Sequence, residues 1–275
     1  MRKLNHWLCC LLLCWSASAV ASDGVLEINQ DCVASGCFPG DTAGFPVLLV
    51  SGGAYRLTSN LSVDTASDGI TIQTSEPVDI DLGGFTLDGG GSCTGTPVTA
   101  CTSGPGIVGI RGAGAQLRLH DGAVRGFNNS NLFLTQLNDG SVVEDVLSLE
   151  STATGFASVS LGVSGTGRTV VLRKVTISRN RGIGVLISGT NAHYIFDSLV
   201  VSGNGAAGAT LNTSATITGS AFHRNSSFGI NGSGQVAALG NTTFFGNNGG
   251  STAAQFAITT LLNMGGVACE DASCP

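Results

Sequence analysis

One phrase repeats four times between Leu172 and Asn247, and it constrains the fold more than any other feature of the chain. Each copy reads apolar-x-x-apolar-x-apolar-x-x-Asn, with Ser or Thr in one apolar position of the last two copies. The copies end at Asn180, Asn204, Asn225 and Asn247, with spacings of 24, 21 and 22 residues. Repeats of this length are typical of a solenoid, in which each coil buries its apolar side against the next coil.

The second half of each repeat decides between two kinds of solenoid. A leucine-rich repeat opens with the same phrase, but continues into helical structure. Here the continuation reads Arg-Gly-Ile-Gly-Val-Leu-Ile at 181–187 and Ser-Phe-Gly-Ile-Asn-Gly at 227–232. Such glycine-broken, partly alternating segments are poor helices and acceptable strands. The sequence therefore predicts an all-β solenoid, with the Asn side chains stacked as a ladder at one bend.

Weaker copies of the phrase extend the array towards the N-terminus. They end at Gly90, Phe127 and Ser151, and a partial copy follows at residues 256–262. We therefore expect seven coils and part of an eighth.

Three further segments carry a family resemblance. They read Gly-Ala-Tyr-Arg-Leu-Thr-Ser-Asn-Leu at 53–61, Ile-Asp-Leu-Gly-Gly-Phe at 80–85 and Gly-Gly-Val-Ala-Cys at 265–269. With the repeat, they resemble the pectin-lyase-like superfamily, and more narrowly its small exported bacterial repeat proteins, most of which have no assigned activity. The resemblance implies a right-handed parallel β-helix of about seven to eight coils with N- and C-terminal caps.

The N-terminal segment of the sequence indicates export. Residues 1–21 carry two basic residues, a short apolar run and the small-residue pattern Ala19-Val20-Ala21, which together predict a signal peptide. We expect an N-terminal cap at 22–68, the β-helix at 69–262 and a disulfide cap at 263–275. No apolar run reaches the roughly 20 residues that span a bilayer. The expected location is secreted, periplasmic or on the cell surface.

Six cysteines follow the predicted signal peptide, in three couples that are close in sequence. An exported chain meets an oxidising compartment, so disulfides are favoured over a metal site. Six cysteines permit 15 connectivities, but local pairing suits a solenoid whose distant coils never meet. The expected pairs are Cys32–Cys37, Cys93–Cys101 and Cys269–Cys274.

Charge limits the classes of partner. The 18 acidic residues outnumber 12 basic ones, and Lys174 is the only lysine after the predicted signal peptide. This balance argues against nucleic acid and anionic membranes as partners. We expect a carbohydrate or a cell-surface protein as the partner, without a cofactor or metal; calcium is expected only if the chain is an enzyme.

One column of the repeat collects ionisable residues, at positions seven and six before each anchor. In register, these groups would stack along one edge, as general acid–base chemistry or a lyase step would require. The alternative is a solvated bend with weak charge pairs between coils, which we favour because short bends provide no cleft. Beside His120, the candidate residues are Asp121, Glu144, Asp145, Arg173, Lys174 and Asp197.

Known motifs of sugar-cleaving β-helix enzymes do not match this chain. Both tryptophans, Trp7 and Trp15, lie in the predicted signal peptide, and the later histidines lack the residues that surround them in such enzymes.

One long excursion, at 89–106, has no titratable residue besides its two cysteines, so we interpret it as a structural loop. We therefore expect a non-catalytic binding module, with a polyuronate lyase or epimerase and a structural spacer as alternatives.

Overall fold

The structure is a computed structural model that describes residues 24–163, 165–189, 192–250 and 254–270. The predicted signal peptide and Cys274 lie outside these residues. Within them, no helix has the length and apolar character that crossing a membrane demands. The elements in chain order are β1 Val25–Ile28, α1 Gln30–Val33, β2 Val47–Leu49, β3 Gly53–Leu57, β4 Leu61–Ser62, β5 Ile70–Ile72, β6 Val78–Asp81, β7 Thr86–Asp88, β8 Ser92–Gly95, β9 Val98–Thr102, β10 Val108–Ala113, β11 Leu117–Arg125, β12 Ser130–Leu137, β13 Ser141–Leu149, β14 Ala157–Val163, β15 Thr169–Arg173, β16 Thr176–Ser178, β17 Ile183–Ser188, β18 His193–Asp197, β19 Val200–Ser202, β20 Ala209–Leu211, β21 Ser214–Thr218, β22 Ala221–His223, β23 Ile230–Gly240, β24 Thr243–Phe245, α2 Asn247–Gly250, β25 Phe256–Asn263 and β26 Ala268–Cys269.

The strands stack on three faces of a parallel β-solenoid. Face A contains β1, β3, β6, β15, β18 and β21, with parts of β11, β13, β23 and β25. Face B contains β4, β7, β16, β19, β22, β24 and β26, with the later parts of β11 and β13. Face C contains β2, β5, β10, β12, β14, β17 and β20, with the earlier parts of β23 and β25. All of these pairings are parallel, which confirms the predicted all-β solenoid.

The solenoid has about nine turns, slightly more than the seven to eight expected. The difference lies at the N-terminus, where β1 pairs with β3 and β3 with β6 in the same register as the later coils. Residues 25–63 therefore contribute strands to the array. Their inward residues, such as Tyr55, Leu57 and Leu61, are buried without following the Asn-anchored phrase, so the sequence pattern undercounts the coils.

Two of the three bends in each coil are sharp, and both use left-handed backbone. At the bend from face A to face B, Asp121, Asp145, Lys174 and Ser198 have φ between 52° and 59°. At the bend from face B to face C, the left-handed residue stands immediately before the anchor, as in Arg179 before Asn180. A left-handed residue turns the chain within one or two positions, so the next side chain points back into the core.

The predicted Asn ladder is present and fully buried. Asn180, Asn204, Asn225 and Asn247 are each 0% exposed. The Nδ2 of Asn180, Asn204 and Asn225 donates to Oδ1 of the next anchor at 2.9 Å each, and Asn247 donates to Gln255 Oε1 at 3.0 Å. Each Oδ1 also accepts from the backbone N–H of the preceding anchor. The ladder thus satisfies buried backbone groups that the bend would otherwise leave without partners.

Two of the predicted disulfides are observed. Cys32 bonds Cys37 within the first coil, and Cys93 bonds Cys101 across the antiparallel hairpin of β8 and β9. Cys269 is also disulfide-bonded, while its predicted partner Cys274 lies outside the described residues.

Candidate functional site

The register of face A brings the predicted ionisable column together. His120 pairs with Glu144, Glu144 with Arg173, and Arg173 with Asp197 in successive coils. The column also continues towards the N-terminus through Asp81, Arg56 and Glu27, which the sequence pattern did not include. Charges of opposite sign therefore alternate along much of this edge of the solenoid.

Glu144 lies at the centre of the column between two guanidinium groups. Its Oε1 accepts from Arg118 Nη2 at 2.8 Å and Nε at 3.0 Å, while its Oε2 accepts from Arg173 Nη2. The residue is only 8% exposed. The bond from Arg173 and then the bond from Arg118 lower the pKa of Glu144. A carboxylate held ionised in this way is a structural anion and a poor general acid or base at neutral pH.

This arrangement makes the solenoid sensitive to acid. Because the folded-state pKa of Glu144 is depressed, the stability that it contributes is present above the ordinary carboxyl pKa of about 4.3 and is lost as the pH falls through the folded value. We expect Glu144→Gln to lower the melting temperature at pH 7 and to flatten its decline between pH 5 and pH 3. Melting curves across this range test the expectation. Asp64→Asn, which changes an exposed carboxylate, should leave the curve unchanged, and an equal effect of both variants would contradict the assignment.

The other predicted residues divide between separate contacts. Asp145 and Lys174 face each other across the bend, with Oδ2 and Nζ 3.8 Å apart. Asp197 Oδ1 accepts weakly from the hydroxyls of Ser198 and Thr218 at 3.2 and 3.5 Å. Both are surface arrangements, which contribute little to stability.

Asp121 joins His120 in a separate cluster. The imidazole Nδ1 lies 2.7 Å from Asp121 Oδ2 and 3.8 Å from Asp81 Oδ1, and Nε2 lies 3.0 Å from Asp79 Oδ1. One ligand atom from each of Asp81, His120 and Asp121 can be chosen so that all lie within 4.8 Å of one another. In the described part of the chain, this is the group whose spacing could hold a metal ion.

A second carboxylate held between two arginines lies at the next bend and was not predicted from the sequence. Glu150 is 5% exposed and binds Arg125 Nη2 at 2.7 Å and Arg179 Nη2 at 2.5 Å. The signal was available one position before three of the anchors, where Glu150, Arg179 and Arg224 stand.

In the described part of the chain, two concavities beside face A lie next to the column. One of about 430 Å³ is lined in part by Asp79 and Arg118, and another of about 350 Å³ by Asp139 and Arg168. Neither includes Glu144, Asp145 or Arg173 in its lining. These concavities therefore do not place the central residues of the column in a cleft.

The hairpin of β8 and β9 folds down along the bend from face B to face C. Gly91 N–H donates to Gly126 O at 2.9 Å, Thr152 Oγ1 contacts Ser103 Oγ at 3.3 Å, and Val98 N–H donates to Gly203 O at 3.0 Å. The hairpin therefore reaches four coils beyond its root. A Cβ on Gly203 would lie 3.3 Å from Thr96 Cγ2, so glycine allows this close approach. The segment that the sequence indicates to be a structural loop therefore also covers part of this bend.

Beyond the hairpin tip lies a groove of about 610 Å³, called here the hairpin groove. Val200 and Phe245 in its lining are each 42% exposed. Its lining residues are Thr96, Val200, Ser202, His223, Arg224, Phe245, Gly246 and Glu270. The groove thus combines an apolar surface with a cation, an anion and an imidazole.

Two polar groups of the hairpin groove, those of His223 and Glu270, contact neighbouring coils. The His223 ring packs edge-on against Phe245, with centroids 5.7 Å apart, and its Nε2 lies 3.1 Å from Thr243 Oγ1. Burial and then the charge of Arg224 lower the pKa of His223, which favours the neutral imidazole. Glu270 Oε2 accepts from Gly246 N–H at 2.6 Å. The groove therefore presents fixed donors and acceptors beside an exposed aromatic ring.

The chain is a parallel β-solenoid. Comparison with protein-family models, with curated proteins and with solved structures finds no match. The assignment of a function therefore depends on the geometry of the groove and of the charged column.

Proposed function

We propose that the protein is an exported right-handed β-helix protein of the pectin-lyase-like kind that binds a saccharide in the hairpin groove without cleaving it. The observation that carries the proposal is the exposed ring of Phe245 in a concave surface, beside His223, Arg224 and Glu270. An aromatic ring binds the C–H face of a sugar, while fixed polar groups bind its hydroxyls. The disulfides at Cys32–Cys37 and Cys93–Cys101 support export, since such bonds persist in oxidising compartments.

A binding role fits the carboxylates better than catalysis does. Most glycosidases use two carboxylates that flank the scissile bond, whereas the lining of the hairpin groove includes one, Glu270. On face A, Glu144 is kept ionised by two arginines. Neither arrangement supplies the paired acid and base that hydrolysis requires.

The proposal predicts the effect of removing the exposed ring. A glycan array with neutral and uronate-containing oligosaccharides identifies the ligand, and titration calorimetry then measures its affinity. We expect Phe245→Ala to weaken binding about tenfold, because stacking on the ring is lost. The matched control is Leu147→Ala, which truncates a side chain 43% exposed on the same face.

Three results would overturn the proposal. The first is a glycan array on which the protein binds no saccharide. The second is a Leu147→Ala variant that loses as much affinity as Phe245→Ala. The third is new ultraviolet absorbance from an unsaturated product when the protein is incubated with polyuronates, with or without calcium. The last result would establish the lyase alternative.

A further inference from the structure

The cluster around His120 has the composition and spacing of a metal site. His120 is 8% exposed, and both of its ring nitrogens face carboxylate oxygens. On the Nδ1 side, the carboxylates of Asp121 and Asp81 converge at 2.7 and 3.8 Å. Ligand atoms bound to one ion at about 2.0–2.2 Å lie roughly 3–4 Å apart. The three side chains therefore need only small shifts to bind one ion.

The opposite nitrogen supports the same assignment. Nε2 of His120 lies 3.0 Å from Asp79 Oδ1. A histidine that binds a metal through one nitrogen commonly donates its other N–H to a carboxylate, which fixes the tautomer and the ring orientation. With a metal bound, the proton stays on Nε2, and the lone pair of Nδ1 points to the ion between Asp121 and Asp81.

Asp81 is held in place independently of His120. Its Oδ2 accepts from Arg56 Nε at 2.8 Å, and its Oδ1 accepts from Gly83 N–H at 2.7 Å. A carboxylate oxygen has two lone pairs, so Oδ1 retains one for a metal ion. Asp121 is more open, with a side chain 59% exposed, and Asp79 lines the adjoining concavity of about 430 Å³. An ion and its remaining water ligands can therefore enter from solvent.

We propose that His120, Asp81 and Asp121 bind a divalent transition-metal ion, with Zn²⁺ as the closest match. One imidazole nitrogen and two carboxylate oxygens suit zinc, which accepts mixed nitrogen and oxygen ligands and fills open positions with water. Calcium fits poorly, since it takes six to eight oxygen ligands. The site lies on face A, remote from the hairpin groove in the fold, and does not depend on the saccharide proposal.

The repeat itself supplies a matched control. Asp145 occupies the same bend position as Asp121 one coil further on, with φ 52° against 58°. It faces Lys174 instead of a histidine. Asp121→Asn and Asp145→Asn therefore make the same chemical change on the same backbone, and Asn tolerates the left-handed conformation.

The test measures Zn²⁺ binding to the full chain after a chelator has removed any bound metal and dialysis has removed the chelator. We expect one equivalent of Zn²⁺ by calorimetry, with affinity at least about tenfold weaker in Asp121→Asn and unchanged in Asp145→Asn. Co²⁺ should give visible absorption that is lost in Asp121→Asn. Melting curves without metal confirm that both variants fold. The proposal is wrong if Zn²⁺ binds the unchanged protein no more tightly than Asp121→Asn, or if Asp145→Asn weakens binding equally.

Discussion

Replacing Asn204 by Ala should lower the free energy of unfolding by about 3 kcal/mol or more. Oδ1 of Asn204 accepts from both the backbone N–H and the Nδ2 of Asn180, and all of these groups are buried. Alanine leaves the two donors without an acceptor, and water has no access to replace it. Each buried donor left unsatisfied costs about 1–3 kcal/mol. The loss should be visible in both denaturant and thermal unfolding.

Asn212→Ala is the matched control for Asn204→Ala. Asn212 lies in the same coil region with an exposed side chain, so its truncation should change stability by less than about 0.5 kcal/mol. Equal effects of the two substitutions would show that the ladder contributes nothing beyond the bulk of the side chain.

Phe244→Ala should be at least as damaging, with a loss of about 3–5 kcal/mol. The ring is 0% exposed and stacks on Phe222 with centroids 5.4 Å apart and an interplanar angle of 14°. On its other side, the centroid of Phe256 lies 5.6 Å away. Alanine would leave a cavity between three coils, because the rigid backbone ladders on either side limit collapse.

The next residue in the same strand provides the control for Phe244→Ala. Phe245 points outward and is 42% exposed, so Phe245→Ala should reduce the melting temperature only slightly, although it weakens saccharide binding. Chemical denaturation of both variants measures the difference. Comparable losses would contradict the inward and outward alternation of β24.

The sequence was informative where the repeat phrase is intact. The spacing of Asn180 to Asn247 predicted the ladder, and the same register placed Glu144 beside Arg173. These features follow from contacts between equivalent positions of adjacent coils, which a periodic pattern reports directly. The N-terminal coils escaped detection because Tyr55 and Leu57 fill the core without an anchor.

The hairpin groove depends on a different kind of contact. Val98 meets Gly203 across a long stretch of sequence, and nothing in the composition of the hairpin indicates where its tip packs. Phe245 stands beside the core residue Phe244, so its outward direction is clear only once the strand is placed. The charge of Arg224 and the position of Glu270 at the far end of the array then complete a surface that no local motif specifies.

The Asn ladder also has a direction. Each side chain donates towards the C-terminal neighbour and accepts from the N-terminal one, so a stack cut between two coils exposes donors on one cut surface and acceptors on the other. A chain emerging from the ribosome completes its N-terminal coils first, and each finished coil ends with amide hydrogens that only the coil still being synthesised can bind. Gln255 accepts the last of these bonds, and its longer side chain marks where the growth of the stack stops.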